Sequence, residues 1–150
     1  MSRELTTPFL AADVIIELLD HPGRPIVLIE RVNPPHGWAI PGGFVDRGVE
    51  SVEQAAVREA REETCLDVRL IALLGIYSDP ARDVRFHTAS AVYVGEAHGT
   101  PRAADDAKAV RMVSMDALPE PLAFDHALVL EDYRMFRAAG QVAPVQKRVR

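Results

Sequence analysis

Apolar positions recur along this chain in two rhythms, and the switch between them separates strands from helices. Ala11 to Leu19 and Pro25 to Arg31 are dense in Val, Ile and Leu. The turn-forming run Asp20-His21-Pro22-Gly23 lies between them, which predicts a hairpin. Asn33 to Gly43 is rich in Pro and Gly, with Trp38 and Ile40 embedded, and reads as a loop followed by a short strand around Phe44 and Val45. Ser51 to Thr64 is helical: Ser51 can cap it, Gln54 completes a capping box, and Val52, Ala55, Ala56 and Ala60 form a small-residue face for close packing on a sheet. Val68 to Tyr77 and Val84 to Ala97 read as long strands, the second with Val84, Phe86, Thr88, Ser90, Val92 and Val94 alternating against Arg85, His87, Ala89, Ala91 and Tyr93. A polar loop from His98 to Asp106, a strand from Ala109 to Met115 and a helix from Phe124 to Ala139 complete the pattern. Gly140 closes that helix, and Val129, Tyr133 and Phe136 point inward. Strands interspersed with two well-separated helices predict an α/β fold in which helices cover the faces of a mixed sheet.

Composition narrows the function classes. A chain of 150 residues, 48% apolar, suffices for one core, so a single domain over residues 1–150 is expected. The lone Cys65 excludes an intrachain disulfide, and no Cys and His cluster has structural-zinc spacing. Residues Met1 to Pro8 are polar, and no apolar run approaches the roughly twenty residues of a membrane span, which predicts a soluble, cytoplasmic protein with no membrane partner. The net charge of −5 and the lack of a basic stripe argue against nucleic acid as a partner. Lys147, Arg148 and Arg150 read as part of a flexible basic tail over residues 141–150. An acidic protein acting on an acidic substrate would need divalent cations to offset the repulsion.

The run that carries chemistry starts at Gly42-Gly43 and ends in Arg58-Glu59-Ala60-Arg61-Glu62-Glu63, with Glu50 between. Helical spacing sets Glu59, Glu62 and Glu63 side by side, and unpaired they would repel. A string of this kind alone describes a salt-bridged surface helix. A Gly-rich loop before it, able to bring backbone close to a metal or a diphosphate, shifts the reading toward ligands for a hard cation such as Mg²⁺.

Gly42 to Leu66 resembles the Nudix box, in which Gly, five residues, Glu and seven residues precede Arg-Glu-U-x-Glu-Glu-x-Gly-U, U being a bulky aliphatic. Glu50, Arg58, Glu59, Glu62, Glu63 and Leu66 fit in register, and Trp38-Ala39-Ile40-Pro41 is similar to the approach to that box. Three positions depart: six residues separate Gly43 from Glu50, as though Val49 were inserted; Ala60 replaces a larger aliphatic; Cys65 stands where Gly usually ends the helix. The resemblance implies an α/β/α sandwich. It also implies Mg²⁺, or Mn²⁺, held by Glu59, Glu62 and Glu63 with the Gly42 carbonyl, Arg58 orienting the carboxylates, Glu50 supporting the loop, and a homodimer. The general base is left to Glu62 in the box or to Asp105 or Asp106 in the later polar loop, with Glu96 less favoured.

Tyr77 to His87 and Leu122 to His126 resemble segments of ADP-ribose pyrophosphatase-like Nudix proteins. Arg82 and Arg85 could take phosphate oxygens, Trp38, Tyr77 or Phe86 could stack on a base, and Gly43 could lie against the diphosphate. Each has a structural alternative: Phe86 as core, Arg85 on a solvated face, Trp38 as a loop closure, Asp125 as the cap of the last helix with His126 in its first turn. The expected reaction is Mg²⁺-dependent hydrolysis of a nucleoside diphosphate linked to another moiety, with ADP-ribose giving AMP and ribose 5-phosphate. The alternatives are a nucleoside triphosphate pyrophosphohydrolase and, from another class, a Nudix module that binds a nucleotide sugar without cleaving it.

Overall fold

The turn expected at Asp20-His21-Pro22-Gly23 joins β1 (Phe9–Leu18) to β2 (Ile26–Arg31) as an antiparallel hairpin, with Glu17 opposite Ile26. Our computed structural model describes residues 4–104 and 107–145. The two strands part beyond this turn, and the sheet divides there. β4 (Gly42–Phe44) takes the edge of β1, pairing Ala12 with Gly43 and Asp13 with Gly42. β3 (Trp38–Ala39) and β7 (Ala107–Val113) pair antiparallel with β2. On the other side of β1, β6 (Thr88–Ala97) runs parallel to it from Phe9↔Thr88 to Leu18↔Ala97, and β5 (Arg69–Tyr77) pairs antiparallel with β6. The sheet is mixed, in the order β3-β2-β1-β6-β5 with β4 on β1 and β7 on β2.

Helices α1 (Val52–Thr64) and α2 (His126–Ala139) cover opposite faces, which makes the α/β/α sandwich expected from the sequence. Val14, Ile16 and Leu18 of β1 pack with Ala55, Ala56 and Ala60 of α1. Ile15, from the same strand, packs with Val129, Leu130 and Tyr133 of α2. A central strand buried on both faces carries a near-continuous apolar run instead of alternation, which is how β1 reads. The alanines let α1 lie close, and Ser51 and Gln54 form the predicted capping box at its start, the Gln54 N–H donating to Ser51 Oγ at 3.1 Å.

Four segments differ most from the expectations. β6 begins at Thr88, not Val84, because the Asp83 carboxylate gathers the Arg85 N–H at 3.0 Å, the Arg85 guanidinium and the Thr88 hydroxyl into a turn. β7 starts and stops earlier than Ala109 to Met115, and Ser114 ends it by accepting from the Asp116 and Ala117 N–H groups. α2 begins at His126, not Phe124, since Phe124 has φ 55 and lies outside the helical region. The presumed loop of Asn33 to Gly43 holds β3 and the start of β4. Beyond α2, the Ala143 N–H donates to the Leu74 carbonyl at 2.8 Å, so the segment before Val145 returns to β5. Lys147, Arg148 and Arg150 lie outside the described residues.

Candidate active site

Gly42 and Gly43 sit where β4 meets α1, and both are glycine for want of space. A Cβ on Gly42 would overlap the Asp13 carboxylate and the Ala12 carbonyl, and one on Gly43 would lie 2.5 Å from the Glu59 carboxylate. Neither has a positive φ, so close approach, not turn geometry, is the constraint. The Gly42 N–H donates to Glu63 Oε1 at 2.8 Å, tying backbone to carboxylate.

Arg58 organises the acids around it. Its Nε and Nη2 reach the two Glu50 oxygens at 2.8 and 2.7 Å, its Nη1 lies 3.0 Å from both Glu59 and Glu62, and Nη2 also donates to the Phe44 carbonyl at 3.2 Å. The fork on Glu50, with the Asp46 N–H donating to the same carboxylate, holds the Glu50 carboxyl down at about 2. The additional residue before Glu50 is absorbed in a turn: the Val49 and Glu50 N–H groups both donate to the Asp46 carbonyl, Gly48 has φ 75, and Val49 is 80% exposed. The departure therefore leaves the Glu50–Arg58 contact in place.

The three box glutamates are not equivalent. Glu62 is exposed, Glu59 is half-buried, and Glu63 is buried on the sheet side of α1, so the shared face expected from helical spacing is graded from solvent to core. Burial pushes the Glu63 carboxyl up to about 8, with the neighbouring Glu59 and Asp13 charges adding to it and the Gly42 N–H opposing. Burial also raises Glu59, against the pull of Arg58. Among the described residues, no three His, Cys, Asp or Glu side chains converge into a finished metal cage. The donor chemistry nevertheless fits a hard divalent cation: buried carboxylates whose desolvation is not offset by a full positive charge, beside glycine backbone with no side chain in the way. Arg58 stands in part for that charge.

These groups form one wall of a cleft of about 250 Å³ in the division of the sheet, lined by Glu59, Glu62, Glu63 and Gly42 to Phe44, with Arg31 and Arg85 among the facing residues. A smaller cavity of about 90 Å³ shares Arg31, Phe44 and Arg85 and continues to Asp13, Arg82, Phe124 and His126. The cleft is thus acidic at its helix and basic opposite.

Of the residues expected to meet substrate, Gly43 and Arg85 line the cleft. The Arg85 guanidinium is held by Asp83 and lies 5.1 to 5.5 Å from the Phe44, Phe86 and Phe124 ring centres. Phe86 is 40% exposed and packs against Phe9 and Phe44 instead of entering the core. Arg82 reaches the inner cavity, but its fork is bound to Asp125 at 2.9 and 2.7 Å and its side chain is 4% exposed. Asp125 occupies the cap position of α2 without capping it, because Arg82 holds its carboxylate. Tyr77 is away from the cleft: it is buried in the α2-side core with its hydroxyl donating to Asp132 at 2.8 Å, so it has no open ring face for a base. Trp38 packs against the same core, under the Arg111 guanidinium. Glu96 pairs with Arg69 near the hairpin end of the sheet. Asp105 and Asp106 lie outside the described residues; before them, the Arg102 and Ala104 N–H groups donate to the Thr64 and Glu63 carbonyls. Sequence reasoning missed Arg31 and Asp13. Arg31 reads as the end of a strand and Asp13 as an interruption in an apolar run, and that interruption is itself a signal, since a buried carboxylate needs a partner, here the Ser90 hydroxyl.

Comparison with known proteins agrees with this geometry. The family model described as NUDIX domain matches residues 8–133. An ADP-ribose pyrophosphatase of Methanocaldococcus jannaschii is 43% identical over 133 residues, covering 87% of this chain and 75% of that protein. A Bacillus subtilis protein provisionally named an 8-oxo-dGTP diphosphatase is 38% identical over 96 residues, covering 63% of this chain and 60% of its own. Among solved structures, the NUDIX domain of Shewanella oneidensis NrtR complexed with ADP ribose superposes with a TM-score of 0.77 at 26% identity, covering 87% of this chain and 88% of that one. With the family match spanning most of its length and the box glutamates set against the glycine strand, this chain belongs to the Nudix family.

Proposed function

We propose that this protein hydrolyses the diphosphate bond of ADP-ribose to AMP and ribose 5-phosphate. The main support is the likeness, over 87% of the chain, to a protein named for that activity, joined to a cleft that opposes carboxylates with two guanidiniums. Glu59, Glu62 and Glu63, with the Gly42 carbonyl, would hold Mg²⁺ or Mn²⁺. When bound, such a cation polarises phosphoryl oxygens and lowers the pKa of the attacking water. Arg58 keeps the carboxylates in place through its contacts to Glu50, Glu59 and Glu62. Arg85, prepositioned by Asp83, binds a phosphate oxygen across the cleft from them. Glu62, the most exposed of the three, accepts the proton of the attacking water; Asp105 and Asp106 are the loop alternatives for that role. The same reading takes the protein as a cytoplasmic homodimer; among the described residues, no helix is long and apolar enough to cross a membrane.

The name of the Bacillus relative favours a second reading, cleavage of a nucleoside triphosphate to the monophosphate and pyrophosphate. The test is turnover of ADP-ribose, other nucleotide sugars, dinucleotides and nucleoside triphosphates with and without Mg²⁺, read as phosphate released by a coupled phosphatase. Cation-dependent cleavage of ADP-ribose above the rest is expected. Preference for triphosphates moves the substrate class, and binding of ADP-ribose without turnover identifies a sensor.

A further inference from the structure

Three phenylalanines far apart in sequence meet in a cluster that reaches the cleft through Phe44. Phe9 starts β1, Phe44 ends β4 and Phe86 lies in the turn before β6. Their ring centres are 4.6 to 5.9 Å apart, with tilts of 43° to 59°. Rings at such distances normally belong to a core, yet these are 57%, 36% and 40% exposed. Each therefore keeps open apolar surface beside a polar cavity. Folding gains little from leaving that surface in water, which marks it as built to be covered.

Two features say by what. Phe44 directly follows Gly43 and lines the same cleft as Glu59, Glu62 and Glu63, so the cluster begins at the cleft that holds the carboxylate wall. Arg85 lies over Phe44 and Phe86 and also lines the cleft, so one guanidinium faces both the phosphate site and the rings. A ligand with a charged diphosphate at one end and a flat, neutral ring a ribose away matches both. We infer that Phe9, Phe44 and Phe86, with Arg85 behind two of them, form the base-binding subsite, which takes a purine ring by stacking. This assignment rests on the nucleotide reading above and adds to it the residues that read the base. Because stacking on a ring is tolerant of base identity, the subsite selects large flat bases over small ones instead of reading a hydrogen-bond pattern.

The test uses Phe9→Leu and Phe86→Leu, which keep apolar bulk and remove the ring face, with Phe9→Tyr and Phe86→Tyr as restoring variants. The first measurement is wild-type turnover of ADP-ribose; its absence removes the substrate reading and leaves the subsite to be judged by calorimetry with AMP. The Leu variants should bind AMP about tenfold more weakly, the lower end of base-on-ring stacking, while ribose 5-phosphate, which has no base, binds as in wild type. The loss in ADP-ribose hydrolysis should fall on KM more than on kcat, and the Tyr variants should recover it. Unchanged AMP binding overturns the assignment, as does an equal loss for AMP and ribose 5-phosphate. Light scattering supplies the remaining arm: a Leu variant that turns a dimer into a monomer shows that a second copy of the chain covers the rings, and this too overturns it.

Discussion

Cys65 ends α1 with φ 62, a left-handed conformation in which a Cβ crowds the following carbonyl. The family pattern usually has Gly here, and the backbone keeps the conformation although the residue differs. The thiol is exposed, so nothing packs on it to compensate. Cys65→Gly should therefore stabilise the protein by about 1 kcal/mol in chemical denaturation; a loss of stability would mean that the side chain makes a contact that matters. Gly43 is the reverse case, a residue whose missing Cβ is needed. Gly43→Ala should push Glu59 aside and lower kcat by about 100-fold, with circular dichroism unchanged, since a displacement near 1 Å suffices for that loss. Glu62→Gln and Glu63→Gln should abolish most turnover while leaving the melting curve cooperative, and near-wild-type rates would remove the box helix from the mechanism. At this scale the acids were legible because helical spacing and box register act within a few turns. Asp13 and Arg31 were not, because they join the site only after β1 and β4 pair and β2 diverges.

The elements were legible to the extent that their forces are local. The capping box of α1, its alanine face, the hairpin turn and the Gly140 cap depend on neighbours within a turn, and each is found. What escaped depends on side-chain and strand partners, near or far, that the apolar pattern does not show. Asp83 delays β6 by binding Arg85 and Thr88, and β3 exists only because β2 and Pro121 receive it. The Arg82–Asp125 pair is the clearest instance, joining the loop before β6 to the start of α2, 43 residues later. Both members are largely withdrawn from water, so removal of one strands the other. Arg82→Ala should cost about 3 kcal/mol in urea denaturation, and Arg82→Met combined with Asp125→Leu clearly less, because the pair then leaves together. A loss below about 1 kcal/mol for Arg82→Ala would place the guanidinium in the surface class.

Across the whole molecule, His126 connects the α2 layer to Ile40, in the segment that leads into the glycine strand, and pH can report on that connection. Its Nδ1 accepts the Ile40 N–H at 3.0 Å within the core, which requires a neutral ring at that nitrogen. Burial, opposed by the Asp125 charge and aided by those of Arg82 and Arg31, drives the ring down to about 3 from its ordinary 6.5. Between those values the unfolded chain binds a proton that the folded chain does not. Stability from this group is thus whole above about pH 6.5 and drains as pH falls toward 3, by about 1.4 kcal/mol per unit. Other groups titrate in the same window, Glu63 with the opposite sign, so the informative quantity is a difference between proteins. His126→Gln retains an acceptor for Ile40 but has no ionisable ring. At pH 7.5 it should be the less stable by about 1 to 3 kcal/mol, having exchanged a fitted ring for a floppier amide. Below pH 6.5 that gap should narrow by about 1.4 kcal/mol per unit, or about 2 kcal/mol by pH 5, as the wild type alone meets the cost of keeping its imidazole neutral. Denaturation curves of both proteins from pH 7.5 to 5 decide it: a constant gap would mean that the ring is not held neutral, and that the tie between α2 and the segment leading into the glycine strand is something other than this hydrogen bond.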